Sequence, residues 1–359
     1  MISGTSRDGV DAALVSFEDD KPRIHHTVCL PYPAPLADSL ETLLLKKRRP
    51  GQEELDRLDP LISRHFSDTA SAVLAGADMK PAQIRAIGSH GQTVWHEPDG
   101  PHPVSIQLGS PQLIARACDI VTVGDFRRED IESGGQGAPL APLLHRALFQ
   151  PEKGRRVVLN LGGIANISVL GDSGNVSGFD TGPANCLLDA WVRKCKGALF
   201  DTNGAWAASG TADAALLEDM AKDDYFEKPA PKSTGTEYFN IFWLERYIQN
   251  HMLSDADIQA TLAELTAITV TKAIEPFDPA DVIVCGGGVH NGYLLRRIEA
   301  HLHGITVRST AEAGLEPDWI EAVLFAWLAR ERLAGRAQDT RLITGADRPV
   351  LLGTIAEPD

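Results

Sequence analysis

The sequence has no apolar run near the length of a membrane helix, no signal-peptide pattern, no excess of basic residues and no close-spaced cysteine pair. The first two absences argue against a membrane-spanning or secreted protein. The charge balance of 34 basic against 49 acidic residues, a net −15, argues against binding to nucleic acid or to an anionic membrane. An anionic ligand would need local donors and a cation. Cys29, Cys118, Cys186, Cys195 and Cys285 are odd in number, and several lie within apolar runs. They read as buried free thiols of a cytoplasmic protein rather than as a disulfide framework or a metal site. No Walker-type glycine loop ending in Gly-Lys-Ser/Thr occurs anywhere.

What is present is organised twice. A length of 359 residues suits two domains. The chain opens with Ser3-Gly-Thr-Ser-Arg-Asp-Gly-Val-Asp11, a glycine turn between a short apolar start and the strand 12–17. A polar turn at 18–22 and a strand near 24–30 follow, then helical spacing at Leu36, Leu40, Leu43 and at Leu55, Leu58, Ile62. The same order returns from Val157: strand, Gly162-Gly163 turn, strand, polar turn 171–175, and a strand ending at Asp180. Helices are expected near 185–196, 213–222, 239–250, 256–275 and 319–334, with a strand at 282–285 before Gly286-Gly287-Gly288. The terminal run 348–355 reads as a strand returning to the first unit. Two α/β units facing one another across a cleft are the expected architecture, with domains at 1–122 plus 345–359 and at 123–344.

Four groups of residues are able to carry chemistry. In the first glycine turn, backbone N–H groups and the hydroxyls of Thr5 and Ser6 suit phosphate oxygens, and Asp8 or Asp11 suits a divalent cation. An ordinary hairpin with a polar turn is the competing reading. Phe179-Asp-Thr-Gly-Pro183 puts a carboxylate at a strand end, where it can act as a general base or merely stabilise the turn. The pairing of Asp180 with Asp172 as a protease-like dyad is excluded, because only eight residues separate the two triplets. Gly162-Gly163 and Gly286–Gly288 allow close approach of phosphate or nucleotide, although Asn291 stands where a dinucleotide loop needs its third glycine. Finally, Ser89-His-Gly-Gln-Thr-Val-Trp-His96 suits a sugar, Arg127 is able to meet a carboxylate in bidentate fashion, and Glu321 is able to face the cleft, against a buried His90 and a solvent-facing Glu321 as the plainer alternatives.

Taken together, these segments resemble the anhydro-N-acetylmuramic acid kinases, in the superfamily of sugar kinases, actin and heat-shock ATPases. The resemblance rests on 3–11, Ser89-His-Gly-Gln-Thr93, Gly124-Asp-Phe-Arg127, Gly134-Gly-Gln-Gly-Ala-Pro-Leu-Ala-Pro142, Asn160-Leu-Gly-Gly-Ile-Ala-Asn166, Gly178–Pro183 and Cys285–Gly288. It implies two duplicated ribonuclease-H-like domains around a central cleft. It also implies ATP- and Mg²⁺-dependent phosphorylation of 1,6-anhydro-N-acetylmuramate with hydrolytic opening of its anhydro ring. On that resemblance Asp180 is the base; Gly4, Thr5, Ser6, Arg7, Asp8, Gly9, Val10 and Asp11 hold the ATP phosphates; Asp8 and Asp11 hold the metal. Gly162, Gly163, Gly286, Gly287 and Gly288 approach the nucleotide, and His90, Gln92, Arg127 and Glu321 contact the sugar. The partners implied are ATP and a small sugar, without nucleic acid or membrane; a homodimer stays open. A kinase of another sugar on this scaffold and a non-catalytic nucleotide-binding or chaperone-type ATPase are the alternatives, the last disfavoured by the lack of a peptide-binding domain in this sequence. One departure stands out. The family has a full strand before the Gly-Thr-Ser turn, and here Met1 and Ile2 alone precede Ser3; either the sequence starts late, at an internal methionine, or the strand is missing, and in the second case residues 1–30 are expected to form a frayed or exposed edge.

Overall fold

The computed structural model describes residues 1–4, 9–171, 174–230 and 232–358. Thr5, Ser6, Arg7 and Asp8 of the first glycine turn therefore lie outside the described residues. Two units emerge, Met1–Leu144 with Trp319–Asp359, and His145–Asp318.

The first unit starts with β1 (Gly9–Glu18) and β2 (Lys21–Pro31), an antiparallel hairpin. Helices α1 (Ala34–Leu45) and α2 (Gln52–Gly76) follow. Next come β3 (Ile87–Ser89), β4 (Gln92–Glu97), β5 (Val104–Leu108), α3 (Pro111–Cys118), β6 (Thr122–Gly124) and α4 (Arg128–Glu132). Helix α5 (Ala141–Phe149) contains the unit boundary. The short start of the chain is built into this unit. Ile2 bridges Asp11 antiparallel and Ser3 bridges Gln92 in parallel. The His90 amide donates to the Met1 carbonyl at 3.0 Å. Met1–Ser3 thus lie between β1 and the segment after β3, and Val10 and Ala12 of β1 are buried rather than frayed. β2, by contrast, is half exposed along its length.

The second unit holds β7 (Arg156–Leu161), β8 (Ile164–Leu170), β9 (Val176–Pro183), α6 (Asn185–Lys196), α7 (Ala214–Ala221), α8 (Asp224–Glu227) and α9 (Ile241–Ile248). Helix α10 (Asp255–Ile274), β10 (Asp281–Cys285), α11 (Gly292–His301) and β11 (Thr306–Ser309) complete it. Its sheet runs β11-β10-β7-β8-β9. β7, β8 and β9 are antiparallel, while β10 and β11 run parallel to β7. This is the order third, second, first, fourth, fifth. The first unit repeats it as β2, β1, Met1–Ser3, β3, β6, with β12 (Thr354–Ala356) added antiparallel to β6. The duplication read from the glycine turns is therefore a duplication of sheet topology, in the ribonuclease-H-like order. The last helix, α12 (Ile320–Leu333), packs on β1, β3 and β6.

Local chemistry sets these elements. Val157, Val158 and Leu159 of β7 are fully buried, as befits a central strand covered on both faces. α10 starts at Ser254, whose hydroxyl accepts the Asp257 amide at 3.2 Å, and fourteen of its residues are buried, so it has no solvent face. Asn240 and Asn291 cap α9 and α11 in the same way. The core of the second unit gathers Leu159, Ile167, Leu187, Trp191, Leu262 and Leu265. That of the first gathers Val10, Leu58, Ile62, Phe66 and Ile114. Among the described residues no helix is long and apolar enough to cross a membrane. Because Leu265 is fully buried on a helix covered on all sides, Leu265→Ala should destabilise the second unit by about 2–5 kcal/mol, seen as a lower urea midpoint.

Candidate functional site

In the second unit three sequence motifs meet. β7 and β10 lie side by side with Asn160 in register with Cys285, so the strands end one residue apart and both pass directly into glycine loops. The second loop packs on the end of β7. A Cβ on Gly286, whose φ is 81°, would meet the Asn160 Oδ1 at 2.4 Å, and one on Gly288 would meet the Leu161 Cβ at 2.5 Å. Those two glycines are required by the packing of their loop against β7. Gly162, Gly163 and Gly287 are different. A Cβ on either of the first two would find only ordinary contacts at 3.5–3.8 Å, and one on Gly287 would find nothing within 4 Å. The loops are tied down by backbone bonds, with the Asn185 amide on the Gly162 carbonyl at 3.1 Å and the Ala184 amide on the Gly163 carbonyl at 3.0 Å. The Asn185 side chain donates to the Leu161 carbonyl at 3.0 Å.

Asp180 lies on β9, opposite Asn166 of β8. Its side chain is half-buried. The Thr234 amide donates to its Oδ2 at 3.0 Å. Its own backbone amide donates to the Lys232 carbonyl at 3.0 Å, and its carbonyl accepts the Tyr225 hydroxyl at 2.7 Å. Burial lifts the carboxyl from 3.8 to about 6; the Thr234 bond opposes the rise and the charge of Glu237 adds to it. A carboxylate that releases its proton near pH 6 is ionised at neutral pH and is a stronger base than an exposed aspartate. Tyr225, Lys232, Thr234 and Glu237 had no signal in the sequence. They lie 45–57 residues beyond Asp180, in a stretch without a recognisable motif.

The first unit gathers a second polar group. His90 is buried and stacks on Phe325 at 4.5 Å between ring centres. Arg127 Nε donates to His90 Nε2 at 3.1 Å, which fixes Nε2 as the acceptor and leaves the proton on Nδ1, directed at the Gly91 carbonyl at 3.1 Å. Burial first, and then the Arg127 charge, hold His90 well below its ordinary value, so the ring is neutral. Burial also lowers Arg127 to about 10, a value at which it remains a cation at neutral pH. Gln92 is buried and committed internally: its Oε1 accepts the Ser3 hydroxyl at 2.6 Å and its Nε2 donates to the Thr93 carbonyl at 3.1 Å. Glu321, on the first turn of α12, stays open to solvent. Desolvation by the surrounding protein raises its carboxyl, the Asp11 charge adds to the rise, and Arg127 opposes it. Asp11, Arg127 and Glu321 therefore form one electrostatic group in this unit, with His90 behind Arg127. Of the phosphate-loop residues, Gly4, Gly9, Val10 and Asp11 are described; Val10 is fully buried and Asp11 half-buried. Among the described residues no group of three or more metal-ligating side chains gathers.

The chain is similar to proteins of one family along its whole length. A family model described as anhydro-N-acetylmuramic acid kinase matches residues 1–358. The anhydro-N-acetylmuramic acid kinase of Xanthomonas campestris pv. campestris is 46% identical over 99% of this chain and 96% of its own. That of Vibrio cholerae serotype O1 is 43% identical over 100% and 98%. Among solved structures, component A of the (R)-2-hydroxyglutaryl-CoA dehydratase of Acidaminococcus fermentans is 14% identical, with a TM-score of 0.46, and the match covers 89% of this chain and 93% of that one.

The environment of Asp180 yields a direct expectation. In a ¹³C-carboxyl NMR titration its resonance should move with a midpoint of about 6, against 3.8 for an ordinary aspartate. A midpoint near 4 would mean that the burial described here does not act on this group.

Proposed function

Because the chain belongs to the anhydro-N-acetylmuramic acid kinase family, we propose that it opens 1,6-anhydro-N-acetylmuramate with water and phosphorylates the freed O6 from ATP. Asp180 is the general base of this reading. It takes a proton from water, and the water oxygen bonds to the anomeric carbon. The bond from that carbon to O6 breaks, and O6 takes the γ-phosphoryl group as ADP leaves. The product is N-acetylmuramate 6-phosphate, and the proton stays on Asp180. The observation that carries the proposal is the half-buried Asp180 carboxylate with one oxygen held by the Thr234 amide and its proton affinity raised to about 6. Phosphoryl transfer asks little covalent chemistry of a protein beyond such positioning and charge neutralisation.

The remaining roles are those the family implies, and the placements above support some of them. Gly4, Gly9, Val10 and Asp11, with Thr5, Ser6, Arg7 and Asp8, would hold the ATP phosphates. Gly162, Gly163 and Gly287 would let a nucleotide approach the backbone, since their missing side chains leave space that the protein does not fill. Arg127 and Glu321 would contact the sugar, Arg127 with its lactyl carboxylate in bidentate fashion. His90 would act there by accepting from Arg127 and so fixing its plane, and Gln92 by holding Ser3. The side chains also suit Mg²⁺. Asp11 and Glu321 carry like charges close enough to raise the Glu321 carboxyl, and this ion is commonly held by one or two carboxylates plus phosphate oxygens and water. Asp11, and Asp8 with it, would then hold the ion, which supplies neutralisation of phosphate charge. The reading places the reaction in the cytoplasm.

Incubation with ATP, Mg²⁺ and the anhydro sugar should give a product heavier by one phosphate unit and one water; a mass gain of phosphate alone would remove the hydrolytic step. Asp180→Asn should retain ATP binding by calorimetry and lose turnover by about three orders of magnitude or more. Turnover near that of the parent would return Asp180 to a structural role. Arg127→Ala should raise the KM for the sugar well above that for ATP, and an unchanged sugar KM would take Arg127 out of the sugar site.

A further inference from the structure

One carboxylate in the second unit is saturated with donors and has no place in the chemistry above. Asp223 is buried. Its Oδ1 accepts the Tyr225 amide at 3.0 Å and the Tyr238 hydroxyl at 2.8 Å. Its Oδ2 accepts the Trp243 indole N–H at 2.8 Å and the Tyr247 hydroxyl at 3.1 Å. Four donors fill the acceptor capacity of a carboxylate, so nothing is left for a ligand. The donors come from α8, from the segment between α8 and α9, and from α9 itself. Their rings pack together through Phe239, which lies 5.4 Å from Tyr225 and 5.1 Å from Trp243.

The segment gathered in this way grips Asp180. Tyr225 reaches the Asp180 carbonyl, Lys232 accepts the Asp180 amide, and Thr234 donates to its carboxylate. The Lys232 ammonium closes the segment on itself by donating to the Tyr225 and Phe226 carbonyls at 3.1 and 3.2 Å. Phe226 lies against β9 where Gly182, at φ 149°, leaves room: a Cβ there would meet its ring at 2.7 Å. Asp-Thr-Gly at 180–182 therefore has its glycine because the gripping segment presses on it.

We propose that Asp223 is a positioning residue for Asp180, fixing through Tyr225 and Tyr238 the segment that holds the base by its carboxylate and its main chain. The proposal rests on the reading of Asp180 as the base. The charged and titratable groups around the pair are few. Glu237 acts on Asp180, and the Tyr225 hydroxyl and Lys232 border it. Arg246 and Asp224 act on the tyrosines that face Asp223. Burial pushes the Asp223 carboxyl up, but the bonds from Tyr225, Trp243, Tyr238 and Tyr247 outweigh it and hold the group below its ordinary value. Asp223 thus stays ionised through the range in which Asp180 titrates.

Asp180 owes its raised pKa first to burial and also to Glu237, against the Thr234 amide. A segment loosened at Asp223 admits water and frees Glu237 together with Thr234, so the net rise shrinks and Asp180 falls toward 3.8. The test combines ¹³C-carboxyl titration of Asp180 with the pH profile of kcat/KM for sugar phosphorylation, in the parent, Asp223→Asn, Tyr225→Phe and Tyr238→Phe. In Asp223→Asn the Asp180 midpoint and the acid limb should fall together by about 0.5–1, and kcat should fall about 10- to 100-fold with the KM for ATP unchanged. Tyr238→Phe, at a half-exposed site and removing one of the four donors, should shift both in the same direction by less. Folded variants in which the Asp180 midpoint and the acid limb stay at the parent values would overturn the proposal. If Asp223→Asn does not fold, Tyr238→Phe and Tyr225→Phe decide it by the same two readouts. A parent enzyme without an acid limb, together with an active Asp180→Asn, would sink the base assignment instead, and the NMR titration would still decide whether Asp223 governs Asp180.

Discussion

One hydrogen bond, from the Thr234 amide to Asp180, holds back the rise in proton affinity that burial gives this carboxyl. Without it, burial alone would carry the Asp180 carboxyl further from the ordinary range and leave a larger share of it protonated at neutral pH. With it, the group is both desolvated enough to want a proton and ionised enough to take one. A backbone amide is a donor that no side-chain substitution at position 234 removes, short of proline. Its aim depends on the segment that carries it, and that segment depends on aromatic packing and on a single buried carboxylate.

The first unit uses a different device. It places a cation, Arg127, against a neutral imidazole and within the field of Glu321, a carboxylate that also feels Asp11. The imidazole stays neutral because it is buried, and because the guanidinium beside it makes a second positive charge costly. His90 therefore behaves as an acceptor and not as a switch near neutral pH. Its buried ring against Phe325 keeps the guanidinium from turning. The two units arrive at opposite arrangements, a lone activated acid in one and a mixed-charge group in the other, on sheets of the same strand order.

Much of this was legible in the sequence, and the rest was not, for physical reasons. Long elements with strong local signals, such as α10 and the β7–β9 meander, announce themselves by periodicity and by glycine turns. The glycine loops and Asp180 could be singled out because each is a short contiguous motif, although the contact between Gly286 or Gly288 and the β7 end is visible only in three dimensions. Short strands are harder: β3 has three residues and β11 four, too few to establish alternation. The Met1–Ser3 segment read as too short to be a strand, yet it pairs on both sides, because pairing needs only a few backbone bonds once neighbours are in place. The Asp223 hub lay beyond any such reading. Its donors are common residues scattered over 23 positions, and their convergence is a product of tertiary packing.

The register of β7 with β10 carries a consequence for how chains of this kind can vary. The two strands end one residue apart, and the loop after β10 packs on the end of β7 through Gly286, Gly288 and Leu161. Inserting one residue into either strand would slide one loop past the other by about 3.3 Å and reverse the faces of every side chain beyond the insertion. At the opposite end of the β8–β9 hairpin the Gly171 amide closes onto the Asn175 carbonyl. Length differences among related chains should therefore accumulate at that far end, and the glycine-bearing end should keep a constant spacing.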